Sequence, residues 1–307
     1  MKIGILTIQG LNHGSFLQGF ALRTYLENLG HKVSFINNLR PKKFLSSVNS
    51  LNILFEIKKN FSILSAWKNQ PMKTRLKFYD TVVIGSDIVW AKNTSIYYGH
   101  GINANKTIAY APCCSDNTYE KLDSCAVQGL KKMDGLSARD TNTAKMVEMA
   151  TGRRPPIVLD PSFLIDWTSF EMGDVVNDGY ILIYSYTGKL KSLRKKALSM
   201  DKPLVSVGNY LDWCDLSIPD ASPFEFLKWV KHADYVLTDT FHGTAFSLIY
   251  QKPFASFLRS HKVSYQLKTL GISPGEIFND YKRIEGFIRI AIDNSKKYLD
   301  DVLFLDT

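Results

Sequence analysis

The stretch Tyr235-Val-Leu-Thr-Asp-Thr-Phe-His-Gly-Thr-Ala-Phe-Ser-Leu-Ile-Tyr-Gln-Lys-Pro-Phe-Ala-Ser-Phe-Leu258 decides the fold. Tyr235–Thr238 is a short apolar run of strand length, and a polar turn follows it. Gly243–Tyr250 then reads as a short helix and Pro253–Leu258 as a second strand. A strand that is followed by a helix and another strand pairs in parallel, because the helix carries the chain back to the start of the sheet.

The same alternation extends outward. Upstream lie strands at Tyr180–Tyr184 and Leu204–Val207, with a basic helix over Lys189–Met200 between them. Ser222-Pro-Phe-Glu225 marks a helix start, with Ser at the N-cap, Pro in the first turn and Glu three residues on. In the first half, Lys2–Ile8 is an apolar strand. Leu22, Tyr25, Leu26 and Leu29 recur at helical spacing until Gly30 stops the helix. Strands are predicted at His31–Ile36, Thr81–Ile84, Thr107–Tyr110, Leu136–Ala138 and Pro156–Leu159, with a helix over Thr141–Ala150. Helices over Val263–Leu270 and Tyr281–Leu299 close the chain. Alternating β and α elements predict an α/β protein with parallel sheets covered by helices. A break near Asp160–Asp178 predicts two Rossmann-like domains, residues 1–168 and 169–307, with Trp167 and Phe170 packing between them.

With 307 residues, 45% of them hydrophobic and 22% charged, the chain is ordinary for a globular protein. No apolar run is long enough to span a bilayer. The N-terminus reads as a buried strand and not as a signal peptide, so a cytoplasmic location is expected. The cysteines Cys113, Cys114, Cys125 and Cys214 lack metal-site spacing and are expected to be reduced. No metal-ligand cluster is apparent, and neither a metal nor another cofactor is expected.

The net charge of +9 is concentrated in one place. Between Arg40 and Lys77 nine basic residues (Arg40, Lys42, Lys43, Lys58, Lys59, Lys68, Lys73, Arg75 and Lys77) face only Glu56. Apolar residues such as Phe55, Phe61 and Trp67 are interleaved with them. This basic insertion, 40–77, suits peripheral contact with an anionic membrane surface or a lipid-linked substrate. A solvated helix with a buried stripe fits the same pattern. Nucleic-acid binding is a third reading, but no nucleic-acid partner is expected.

Ligands of open α/β sheets bind beyond the carboxyl ends of the strands, and four polar loops are placed there. Gln9-Gly-Leu-Asn-His-Gly14 precedes a helix start with Gln18, and its spacing is not the dinucleotide fingerprint. Gly85-Ser-Asp87 could hydrogen-bond a sugar hydroxyl, or Asp87 could simply cap a helix. Ser137-Ala-Arg139-Asp140 offers a guanidinium able to clamp phosphate or carboxylate, or a plain ion pair. Thr238-Asp-Thr-Phe-His-Gly-Thr places His242 at a helix entrance, beside the backbone amides of Gly243, Thr244 and Ala245, an arrangement suited to an anionic substrate.

These blocks, in this order, resemble the polysaccharide pyruvyl transferase family. The similarity is carried by Asn12-His-Gly14 with Leu17-Gln18, by Val83-Ile-Gly-Ser-Asp87 with Trp90, and by Ser137-Ala-Arg139-Asp140. Leu159-Asp-Pro161 with Leu164, and Phe241-His-Gly-Thr-Ala-Phe-Ser247 with Lys252-Pro-Phe254, complete it. The resemblance implies a two-domain glycosyltransferase-B (GT-B) fold, phosphoenolpyruvate as donor, and a sugar or lipid-linked oligosaccharide as acceptor. The product is then a pyruvate ketal. By motif, His242 and Arg139 fall on catalytic positions, and Thr240, Gly243, Thr244 and Ala245 on the donor side. Several members carry an Arg two residues before the His, where Thr240 stands here. Asn12, Gln18, Ser86 and Asp87 fall on the acceptor side. A nucleotide-sugar glycosyltransferase on the same fold is the alternative. A non-catalytic membrane-surface or nucleic-acid-binding module is the second alternative.

Overall fold

In the computed structural model, the described residues are 1–37, 50–172, 179–186, 190–258 and 261–304. Six strands form the first sheet: β1 (Lys2–Leu6), β2 (Lys32–Ile36), β3 (Met72–Lys73), β4 (Tyr79–Ile84), β5 (Ala104–Ala109) and β6 (Gly135–Leu136). Their order is β3-β2-β1-β4-β5-β6 and every pairing is parallel. The second sheet contains β7 (Ile181–Tyr184), β8 (Leu204–Val207), β9 (Leu216–Ile218), β10 (Tyr235–Thr238) and β11 (Phe254–Ser256). Its order is β11-β10-β7-β8-β9, again parallel throughout. The central strands β1, β4, β7 and β10 are apolar on both faces because helices cover both faces.

The covering helices are α1 (His13–Asn28), α2 (Ser50–Lys68), α3 (Ser124–Lys132), α4 (Thr141–Thr151), α5 (Lys191–Leu198), α6 (Pro223–His232), α7 (Phe241–Ile249), α8 (His261–Thr269) and α9 (Tyr281–Phe304). Side-chain caps start several of them: Asn12 for α1, Asp140 for α4, Thr240 for α7, and the expected Ser222–Glu225 capping box for α6.

Several details differ from the sequence-based expectation. The short edge strands β3 and β9 have no counterpart in it, since two or three residues carry no periodicity, and helix α3 has none either. Pro156–Leu159 is not a strand; it contributes a single bridge, Ala138 to Ile157. The last helix, placed by sequence in the second half, packs against the first sheet. Tyr298 donates to the Ala109 carbonyl, and the Leu159 amide donates to Ser295 Oγ.

The two sheets share one apolar cluster. Trp167 is buried, with its ring 6.2 Å from Phe20 of α1 and 5.3 Å from Phe246 of α7. Phe170 lies edge-on to Phe20 at 5.0 Å, so both aromatics sit at the joint, as expected. Full burial of one such ring is worth about 1.5–3 kcal/mol, which makes the joint part of the core. Arg40, Lys42, Lys43 and the side chain of Phe55 in the basic segment lie outside the described residues. Of the remainder, Trp67 is buried against Phe16 and Phe35, whereas Phe61, Leu76 and, just past the segment, Phe78 are exposed. Among the described residues no helix is long and apolar enough to cross a membrane.

Candidate active site

In each sheet the strand order reverses at a central pair, β1/β4 and β7/β10, and the loops beyond these pairs face one another. Asp160, which the sequence does not single out as a site candidate, is at the centre of the resulting cluster. Its carboxylate is fully buried. Oδ2 accepts from Arg139 Nη1 at 2.8 Å and lies 3.3 Å from Ser86 Oγ and 3.7 Å from His242 Nε2. Oδ1 accepts from the amide and the hydroxyl of Ser162. Burial alone would raise this carboxyl's pKa. The neighbouring His242, then Arg139 and the Ser162 amide, outweigh burial and hold it below the usual carboxylate range.

Arg139 is buried as well, and its guanidinium lies 4.4 Å from the centre of the Phe241 ring. Nη2 faces Asp87 Oδ1 at 4.0 Å. Asp87 in turn accepts from Ser15 Oγ at 2.9 Å. Two nitrogens of the cluster, His242 Nε2 and Arg139 Nη2, are buried without a hydrogen bond. Buried donors are nearly always paired, so this pair is suited to receive an anionic ligand.

Other expected site residues make structural contacts as well. Thr240 Oγ1 accepts from the Gly243 amide, and the Thr244 amide bonds back to the Thr240 carbonyl. Thr244 Oγ1 is tied to Ser256. The amides of Gly243 and Thr244, expected to bind the donor, are therefore satisfied by the helix cap, and Ala245 is buried in the next turn. On the acceptor side, Ser86 Oγ bonds the Ala111 carbonyl. Fully buried Gln18 bonds Thr7 Oγ1, whose hydroxyl donates to the Ser86 carbonyl. Asn12 is half-buried and caps α1 through the Ser15 amide. These contacts shape the loop that carries Asp87 and the first turn of α1 that carries Ser15.

One cavity adjoins the cluster and a second lies nearby. The first, about 340 Å³, touches Arg139, Asp160 and Phe241 and is walled by α8 and α9. The other, about 290 Å³, sits beyond β1 and β4, lined by Gln9, Gly10, Leu11, Val89 and Lys92.

The backbone of Gly14 lies flat against the His242 imidazole, where any Cβ would overlap the ring. Gly14→Ala should keep the fold, because Ala favours a helix by about 1 kcal/mol over Gly. It should displace His242 and, with His242 in the catalytic position the sequence leads one to expect, lower turnover roughly 10²-fold, the effect of a misplacement of about 1 Å. Steady-state kinetics on the variant test this, and unchanged turnover would refute the contact's importance.

The family model for polysaccharide pyruvyl transferase matches residues 12–261. The chain belongs to the polysaccharide pyruvyl transferase family. That match spans His242, Arg139, Asp160 and Asp87 alike. A comparison with curated proteins found no match. Among solved structures, this family member is similar to an S. aureus MnaA–UDP co-structure, at 10% identity and a TM-score of 0.53 over 98% of this chain and 88% of that one. It is also similar to the UDP-GlcNAc 2-epimerase of Neisseria meningitidis bound to UDP-GlcNAc, at 12% identity and a TM-score of 0.53, each chain covered in full. At such identities the likeness speaks for the fold, and the pyruvyl transferase fold here is of the GT-B type.

Asp160 does carry one signal in the sequence: Leu159-Asp-Pro161 places a carboxylate directly after a short apolar run. His13 enters only as the middle residue of Asn12-His-Gly14, and Ser15 and Ser162 carry none.

Proposed function

We propose that this chain transfers pyruvate from phosphoenolpyruvate to a sugar of a lipid-linked surface-polysaccharide precursor, forming a ketal and releasing phosphate. The observation that supports this reading is the pair of unengaged buried nitrogens, His242 Nε2 and Arg139 Nη2, flanking Asp160 in a member of this family.

The chemistry assigns the roles. One sugar hydroxyl adds to C2 of the enolpyruvyl group while C3 takes a proton to become a methyl group. A second hydroxyl then displaces phosphate from C2, and its proton leaves with the phosphate. His242 delivers the proton to C3 and receives one from a hydroxyl, which requires an imidazole nitrogen free of other bonds. Asp160 orients His242 and balances its charge. Arg139 holds the donor's carboxylate or phosphate and offsets charge in the oxocarbenium-like state. Asp87 and Asn12 face the acceptor, which enters from the cavity beyond β1 and β4. The exposed Arg75-Leu76-Lys77-Phe78 and Phe61 give this enzyme of the cytoplasmic face a contact with anionic lipid.

The test is phosphate release from phosphoenolpyruvate, measured across free and lipid-linked sugars presented on anionic vesicles. Phosphate and pyruvylated product should appear in equal amounts, fastest with a lipid-linked acceptor, and the chain should co-sediment with the vesicles. Absence of release with every acceptor, together with thermal stabilisation by nucleotide sugars, would favour glycosyl transfer instead.

A further inference from the structure

His13 opens α1, a helix of the first half, yet its ring is buried in the second half. Nε2 lies 2.8 Å from the Ala221 carbonyl just before α6, so Nε2 carries the proton and donates it. Nδ1 is then an acceptor and faces the Tyr184 hydroxyl at 3.4 Å. The ring stacks on Phe226 of α6, 5.2 Å between centres and 12° from parallel. Gly208, at the end of β8, closes the slot. It has φ +77, and a Cβ there would stand 2.7 Å from His13 Cε1. Three consecutive residues thus make three different attachments. His13 enters the second half, Gly14 carries the His242 ring, and Ser15 bonds Asp87 of the first half.

We propose that His13 is a positioning residue whose neutral ring keys the first turn of α1 into the second half and so sets His242 against Asp160, making the assembled cluster acid-labile. This rests on the proposed role of His242.

The titratable groups facing the ring are Tyr184 from β7 and Lys59 from α2, whose Nζ bonds Asn209 beside Gly208. The turn after β8 and helix α6 present Gly208 and Phe226, and His242 lies beyond Gly14. Burial first, and Lys59 next among the lowering influences, bring the pKa of His13 from 6.5 to about 4, against the Ala221 bond, which raises it. The released ring binds a proton more readily than the keyed ring. Keying is therefore fully favoured above pH 6.5 and weakens as pH falls from 6.5 toward 4. At pH 5 the keyed-to-released ratio drops about thirty-fold from its value at pH 8.

The experiment is NMR of the ¹⁵N-histidine-labelled full chain, with the His13 signal assigned by its loss in His13→Gln. The expected result is a neutral Nε2–H tautomer titrating near pH 4, with the His242 signal shifting at the same midpoint. That shared step should vanish in His13→Gln, which retains an N–H donor but cannot titrate there. In turnover, His13→Ala should lower kcat about tenfold with KM little changed, and His13→Gln should restore most of it. A His13 midpoint between 6 and 7, or a His242 response indifferent to His13, overturns the proposal. The NMR result does not depend on turnover. A chain that fails to transfer pyruvate therefore sinks the functional reading while leaving the key itself open to direct measurement.

Discussion

His242→Gln is expected to lower pyruvyl transfer by roughly 10²–10⁴-fold, the span associated with loss of a positioned proton-transfer group. Glutamine keeps a polar side chain near Asp160 Oδ2, which His242 Nε2 approaches at 3.7 Å. It cannot exchange a proton with the enolpyruvyl methylene or with a sugar hydroxyl. The fold should survive, since the α7 cap is supplied by Thr240 and the surrounding apolar contacts are untouched. With Arg139 unchanged in its proposed donor-holding role, KM for phosphoenolpyruvate should change much less than kcat. Circular dichroism and the midpoint of denaturant unfolding establish integrity, and phosphate release establishes the loss. A variant that folds and retains near-normal turnover removes His242 from the chemistry.

Asp160→Asn is expected to be the more damaging change to stability, at about 3–5 kcal/mol, the usual consequence of removing one member of a buried ion pair. The reason lies with the partner. Arg139 has no solvent to turn to, and its Nη1 loses the carboxylate oxygen 2.8 Å away. The pH dependence carries a sign that can be checked. The folded-state pKa of Asp160 lies below its ordinary value of 3.8. Its charge therefore contributes stability that is complete above the unfolded value and is lost as pH falls through the lowered folded one. The gap in unfolding free energy between the parent chain and Asp160→Asn should be flat from neutral pH down to about 4 and narrow below that. A gap under about 1 kcal/mol at neutral pH would mean that Asp160 and Arg139 are not coupled as the geometry indicates.

Much of this architecture is legible in the order of residues. A strand such as Val82–Ile84 must be buried on both faces, and a Ser-Pro-x-Glu start must begin a helix. These are local statements, governed by hydrophobic period and by which backbone amides need a cap. The site is legible in part for the same reason. His242 and Arg139 each follow a short strand, and chain direction alone puts such residues at the ligand-binding end of a parallel sheet. The donor amides are different, because the sequence alone leaves the α7 entrance open. Thr240 caps it, and its hydroxyl accepts from the Gly243 amide.

By itself, the sequence determined a doubly wound α/β chain, the ends of its strands and the residue types gathered there. Burial periodicity and cap chemistry act over a few residues and need no partner from far along the chain. Only the tertiary structure decided that Asp160 joins His242 and Arg139, that α9 returns to the first sheet, and that His13 reaches into the second half. Each of these joins residues far apart in sequence, 208 residues apart for His13 and Ala221. Such contacts are set by how two sheets pack around one shared core, which no local pattern records.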